Sequence, residues 1–148
     1  SCGNVGHPVV TAVGEGRDVL AVELSSFQLH WSPSVLPAAG CVLNVAEDHL
    51  DWHGSLAAYA AAKARALRDA VAVCGVDDPA AAALLAAVPA QMRVGVTLAV
   101  PGPDQLGSHG DAVDAAPLVR RSGAAHPAFP PPAFGCFATL RHGPTGAI

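Results

Sequence analysis

The chain has 148 residues, 51% of them hydrophobic and 14% charged, with a formal net charge of −4. That length holds one domain with its own core, and the apolar content excludes a disordered chain. The mildly acidic balance excludes a basic nucleic-acid-binding stripe, and no apolar run reaches the roughly 20 residues that a membrane span needs.

Residues 3–8, Gly-Asn-Val-Gly-His-Pro, predict a turn opening into a helix with Pro8 in its first turn. That helix carries Val9, Val10 and Val13 and stops near Gly14 and Gly16. Asp18 to Leu24 is a nearly continuous apolar run and reads as a buried strand with Glu23 near its carboxyl end. Ser25 to Leu29 follows as a loop or short helix, and Gly40 to Val45 as a second buried strand. Ser55 is placed to cap an Ala-rich helix running to about Asp69, with Leu56, Tyr59, Lys63 and Leu67 on one face. Ala70 to Gly75 predicts a third strand, Asp77-Asp78-Pro79 the start of a helix running to Ala87, and Met92 to Val96 a fourth strand. Strands alternating with helices predict an α/β fold: a doubly wound, mostly parallel sheet with flanking helices.

From about Val100 the pattern fails. Pro101, Pro103, Pro127, Pro130, Pro131 and Pro132 are scattered among Gly, Ser and His with no sustained period. The expected organisation is a domain over 1–98 and a poorly ordered Pro/Gly-rich tail over 99–148, read as a shifted frame or a gene end out of context. The opening Ser-Cys-Gly, without an initiator Met, reads as a start inside a longer frame. No basic segment precedes an apolar one, so no signal peptide is expected. Cys2, Cys41, Cys74 and Cys136 form no C-x-x-C pair and no zinc spacing. Cys41 and Cys74 read as small core residues, and a reduced, cytoplasmic setting is expected.

Ligands of open α/β sheets bind beyond the carboxyl ends of the strands, and several polar residues fall there. Glu23 ends an apolar strand, where an acid is costly unless paired, metal-bound or already in solvent. His49 stands among Glu47, Asp48 and Asp51, a set that suits a divalent cation or a plain polar turn. Lys63 shares its helix face with apolar residues, so it either snorkels to water or is desolvated, which disfavours the ammonium. A neutral amine can take up CO2 as a carbamate, an anion able to bind a metal. Asn4 lies in a turn where Gly3 and Gly6 allow close backbone approach at a helix start, a setting that favours a phosphate.

Taken in order, Gly-Asn-Val-Gly (3–6), Glu-Leu-Ser-Ser-Phe-Gln-Leu (23–29), Leu-Asn-Val-Ala-Glu-Asp-His-Leu-Asp (43–51) and Tyr-Ala-Ala-Ala-Lys-Ala-Arg (59–65) resemble the central domain of the Mur ligases. Ser-Ser-Phe-Gln-Leu resembles the D-glutamate-adding branch, and the likeness covers about residues 1 to 95. It implies that Glu23 and His49 hold Mg²⁺, and that Lys63, carbamylated, helps place a second Mg²⁺ and an acyl phosphate. Asn4, Ser25 and Gln28 would contact substrate. The implied reaction joins D-glutamate to UDP-N-acetylmuramoyl-L-alanine in peptidoglycan precursor synthesis, with ATP as co-substrate, in a cytoplasmic enzyme that is monomeric at full length and needs neither nucleic acid nor membrane.

The departures are equally definite. No Gly-x-x-Gly-Lys-Thr/Ser phosphate loop occurs in residues 1–148, and neither flanking domain of the family is represented. Gly75-Val76-Asp77-Asp78 stands where the family pattern leads one to expect Asn-x-Asp-Asp. The chain by itself is therefore expected to be inactive, and a missing first strand would leave a sheet edge prone to aggregation. A sibling ligase, a folate-polyglutamylating relative and a non-functional remnant are the competing readings; Ser25-Ser26-Phe27-Gln28 argues against the first two.

Overall fold

The computed structural model describes residues 1–109, 112–115 and 136–141. Strand β1 (Cys2–Gly3) leads to helix α1 (Val9–Gly14), strand β2 (Val19–Glu23) and helix α2 (Ser26–Trp31). Strand β3 (Ala39–Val42), helices α3 (Leu50–His53) and α4 (Leu56–Ala64) and a 3₁₀ turn at Arg65–Leu67 follow. Strand β4 (Val71–Gly75), helix α5 (Pro79–Ala87) and strand β5 (Met92–Val96) complete the regular alternation. Three further strands are β6 (Gln105–His109), β7 (Ala112–Ala115) and β8 (Cys136–Arg141).

The helix starts have local causes. Ser55 caps α4 by accepting the Ala58 N–H at 3.2 Å, and Asp78 caps α5 by accepting the Ala81 N–H at 2.7 Å, with Pro79 in the first turn. The helix expected to run from Ser55 to about Asp69 is α4 plus the 3₁₀ turn, after which Asp69 takes a left-handed φ of 55°. α1, α5 and β5 lie where the sequence puts them.

All eight strands form one sheet in the order β1-β2-β8-β3-β4-β5-β6-β7. The pairs β1–β2, β3–β4, β4–β5 and β5–β6 are parallel. β8 runs antiparallel to both β2 and β3, and β7 antiparallel to β6. The mostly parallel α/β architecture thus matches the sequence reading. The described part of the stretch beyond Val100, where no period is visible, supplies three strands of the same sheet; the remainder of the expected tail lies outside the described residues. Those strands have four to six residues each, and their pairing partners come from distant sequence, so no local signal announces them.

The main core gathers Leu29 of α2, Val42 of β3, Tyr59 of α4, Leu67, Ala72 and Cys74 of β4, and Ala81 of α5. A smaller core joins Cys2, Ala12 and Val22, and Leu24 packs against both. From β1 to β6 the sequence of strands advances across the sheet in one direction, so right-handed crossovers set their helices on one face. The second layer of a doubly wound sheet does not lie among the described residues. β2, expected to be buried, is consequently covered on one side only: Val22 is buried, whereas Val19 is 57% exposed and Ala21 is exposed as well.

Burial pushes the Cys41 thiol up to about 11. It pushes the Cys74 thiol up to about 12, with Cys41 adding repulsion and a backbone hydrogen bond at Val42 opposing the rise. The reactive species is the thiolate. Iodoacetamide at neutral pH is therefore expected to leave both unmodified in the native chain and to modify both in denaturant; native labelling at either position, read by peptide mass, contradicts this packing.

Candidate functional site

The residues singled out in the sequence meet the carboxyl ends of β2 and β3. Glu23 ends β2 and is half-buried. Its carbonyl accepts the Asn4 N–H at 2.9 Å. Gly3 makes that approach possible: it has a φ of 130°, and a Cβ there would lie 2.1 Å from the Glu23 carbonyl oxygen. Asn4, exposed, is thus fixed through its backbone beside Glu23.

Ser25 caps α2 in a reciprocal arrangement. Its hydroxyl accepts the Gln28 N–H at 3.2 Å, while the Gln28 side-chain oxygen accepts the Ser25 N–H at 2.9 Å. The Ser25 hydroxyl also donates to that same oxygen at 3.2 Å. The two residues expected to touch substrate therefore also form the start of α2. The other end of α2 is fixed by Arg65, whose guanidinium donates to the Leu29 carbonyl at 3.0 Å and to the His30 carbonyl.

His49 precedes α3 in the left-handed region, with φ 52°. Its Nε2 lies 3.4 Å from the Asp48 carboxylate, and its ring centroid is 4.8 Å from that of Phe27. Phe27 also packs edge-on to Trp52 at 4.9 Å and stacks on His53 at 5.6 Å. A 3.0 Å hydrogen bond links His53 Nε2 and the Ser26 hydroxyl, joining α3 to α2. Desolvation holds the His53 imidazole below the usual histidine range, reinforced by His30 and His49 and opposed by Asp51. This ring cluster was not expected from the sequence; the available signal was the density of aromatic and imidazole residues at 27–31 and 49–53. An open cavity of about 380 Å³ borders it, lined by His30, Trp52, His53 and Arg65; Glu23, His49 and Lys63 are not in its lining.

Lys63, half-buried on α4, donates to the Asn44 carbonyl at 3.3 Å just beyond β3. Its Nζ sits 4.7 Å from the Tyr59 ring centroid. Both contacts suit an ammonium.

Beyond β4, the Asp77 carboxylate accepts the Thr97 hydroxyl at 2.6 Å and the Leu98 N–H at 2.7 Å. These bonds, Thr97 first, hold its carboxyl below the ordinary value of 3.8. A depressed folded-state value contributes stability above the unfolded value and loses it as pH falls through the folded one. In urea melts, Asp77→Asn should be less stable than wild type at pH 7, with the gap closing as pH drops below about 4; a gap independent of pH contradicts the assignment. Gly75, standing where Asn was expected, admits no side chain, because a Cβ would lie 2.0 Å from the Leu43 carbonyl oxygen.

As to a cation, the described residues contain no cluster of three or more His, Cys, Asp or Glu side chains able to hold one. Mg²⁺ does not require such a cage: it is usually bound through one or two carboxylates, keeps several waters and shares substrate phosphates. The Glu23 carboxylate, half-buried at the end of β2, is an oxygen donor of the type such a site uses.

A parallel α/β sheet with polar residues beyond its strand ends has the architecture in which ligands bind outside the carboxyl ends of the strands. The pattern that defines the Mur ligase middle domain matches residues 7–100. The chain belongs to the Mur ligase family. Among curated relatives, the UDP-N-acetylmuramoylalanine–D-glutamate ligase of Mycolicibacterium vanbaalenii is 64% identical over 106 residues, 72% of this chain and 22% of the relative. The enzymes of the same name from Mycolicibacterium smegmatis and Mycobacterium tuberculosis are 60% and 59% identical over 106 residues, covering 72% of this chain and 22% and 21% of theirs. The chain thus spans about a fifth of the length of the relatives it matches.

Proposed function

We propose that residues 1–98 are part of the central domain of an ATP-dependent ligase that adds D-glutamate to UDP-N-acetylmuramoyl-L-alanine for peptidoglycan synthesis; β6, β7 and β8, from the stretch expected as a tail, pair into the same sheet. The observation that carries this reading is the 64% identity to a D-glutamate ligase across 106 residues, together with the family match over residues 7–100, which includes Glu23, Ser25, His49 and Lys63. The ligase is read as a cytoplasmic monomer; no described helix is long and apolar enough to cross a membrane.

In this reading ATP phosphorylates the substrate carboxylate and the amine of D-glutamate then attacks the acyl phosphate, forming the amide and releasing phosphate. Bound Mg²⁺ would offset negative charge on the transferring phosphoryl group. Glu23 and His49 are its proposed ligands, and Lys63, as a carbamate, is the proposed third anionic or positioning group. Asn4, Ser25 and Gln28 are proposed to orient the UDP-muramoyl substrate. The Asn4 backbone bond to Glu23 and the Ser25–Gln28 cap support this, because they hold those side chains on a rigid edge. A carbamate at Lys63 keeps one N–H on Nζ, which can still donate to the Asn44 carbonyl.

No phosphate loop of the family's type lies within residues 1–148, and such a loop supplies the backbone N–H groups and lysine that cradle the nucleotide. The 148 residues alone are therefore proposed to be inactive. An assay of D-glutamate-dependent ADP release tests this: a full-length ligase carrying these residues as its central domain should turn over and the isolated chain should not. Robust turnover by the isolated chain contradicts the proposal.

A further inference from the structure

None of the ligase roles proposed above uses the open cavity of about 380 Å³ beside the ring cluster. Three alanines of α4 line it, together with His30 of α2, Trp52 and His53 of α3, and Arg65 at the start of the 3₁₀ turn. The small side chains leave room between the three helices. The volume falls within the range of ordinary small-molecule sites, about 300–1,000 Å³.

The lining is chemically one-sided, for it contains no carboxylate. Asp51 acts on His53 from outside it. Desolvation favours the neutral form of His53, so Arg65 is the permanent cation of the lining. Arg65 Nη1 donates to the Leu29 and His30 carbonyls, which anchors the guanidinium plane at the end of α2. Among the described residues, its Nε and Nη2 have no hydrogen-bond partner. Those two N–H groups form the side-on edge of a guanidinium, a fork that matches the two oxygens of a carboxylate.

The rings add a stacking surface. Trp52 is 43% exposed, yet Phe27 and His30 hold it edge-on at 4.9 Å and His53 at 4.5 Å. His53 is fixed in turn by its 3.0 Å hydrogen bond to the buried Ser26 hydroxyl. An indole that is part-exposed and already immobilised loses little freedom when a ligand stacks on it.

We propose that this cavity binds an aromatic carboxylate, with its ring against Trp52 and His30 and its carboxylate on the free edge of Arg65. An aliphatic acid would leave the rings uncovered, and an uncharged aromatic would leave the guanidinium edge unpaired. The site is separate from the strand-end residues, because Glu23, His49 and Lys63 are not in its lining. It stands or falls independently of the metal and substrate roles proposed above.

The test titrates naphthalene-2-carboxylate onto the full 148-residue chain at neutral pH while ¹H–¹⁵N spectra are followed. The Trp52 indole N–H, assigned from Trp52→Phe, and the amides of His53, Ala58, Ala61 and Arg65 should shift together and saturate. For a ligand of that size the expected Kd is about 1 mM or lower. Naphthalene-2-carboxamide keeps the ring without the charge, and cyclohexanecarboxylate keeps the charge without an aromatic face. Each should bind about tenfold more weakly or worse. Trp52→Ala should weaken the carboxylate about tenfold. Arg65→Gln would remove the α2 anchor along with the charge, so the uncharged ligand tests the cation in its place. Absence of a saturating shift by about 10 mM, tenfold above the expected Kd, overturns the proposal. Equal affinity for the carboxamide or for cyclohexanecarboxylate overturns it too, as do shifts that fall outside the lining.

Discussion

Replacing Lys63 by alanine in a full-length ligase carrying this domain is expected to lower turnover by about 10²–10³-fold, the usual effect of removing one group that stabilises transition-state charge. Its position is the reason. Lys63 reaches the carboxyl end of β3, where its Nζ meets the Asn44 carbonyl, and the Tyr59 ring supports it. Alanine removes both the proposed carbamate and the stem that carries it. Acetate or another short carboxylic acid should restore part of the rate, because a free carboxylate can stand in for the carbamate. The loss should fall on kcat more than on the KM for ATP, whose phosphates are held elsewhere. Normal turnover in Lys63→Ala refutes the role; a loss that no carboxylic acid relieves points to a merely structural lysine.

The second large effect is on stability. Gly40 lies in β3 against the 3₁₀ turn, and a Cβ there would sit 1.7 Å from the Ala66 carbonyl oxygen and 2.6 Å from its carbon. Both neighbours are backbone, and Ala66 and Leu67 are fully buried, so no flexible side chain can move aside. Gly40→Ala must push the turn off the sheet and is expected to destabilise the domain by about 3 kcal/mol or more, the upper range for overpacking. The thermal midpoint should fall by roughly 10 °C or more for a domain of this size. Gly14→Ala makes a fair control, since nothing lies within 4 Å of a Cβ there. Equal melting points for the two variants contradict this account of the packing.

How much of this was legible depended on whether a cause was local. α5 could be read, its end at Ala87 to the residue and its start to within two, because Asp78, Pro79 and the alanine run act within one turn. β5 could be read because Met92–Val96 is a short apolar segment between turn residues. β1 was not, because two residues become a strand only through pairing with Val22 and Glu23. α3 is not anticipated in the sequence, since its four residues carry no helical period; the packing of Phe27 on Trp52 and His53 holds them. β2 looked buried because an apolar run cannot tell whether a second layer covers it. β8 lay beyond any local reading, since its partners are about a hundred residues away.

The candidate site divides in the same way. Glu23 and His49 could be singled out because strand ends are where α/β sheets bind ligands, Lys63 because it shares an apolar helix face, and Ser25 only through the family resemblance; the structure puts Glu23 at the end of β2 and Lys63 against the Asn44 carbonyl beyond β3. The Ser25–Gln28 cap carried a signal, Ser-x-x-Gln ahead of an apolar residue, yet both residues had been read only as substrate contacts. The bond between Asn4 and Glu23 depends on the left-handed backbone of Gly3 and could not be read from spacing.

The central claim is that these residues belong to an enzyme that joins D-glutamate to a UDP-muramoyl precursor. Its most direct test is amino-acid-dependent ADP release by a full-length ligase carrying them, measured with UDP-N-acetylmuramoyl-L-alanine and a panel of acceptors. The account predicts that D-glutamate supports release at a rate well above L-glutamate, L-alanine, L-lysine and meso-diaminopimelate. Preference for any other acceptor, or release that does not depend on the amino acid, would contradict it.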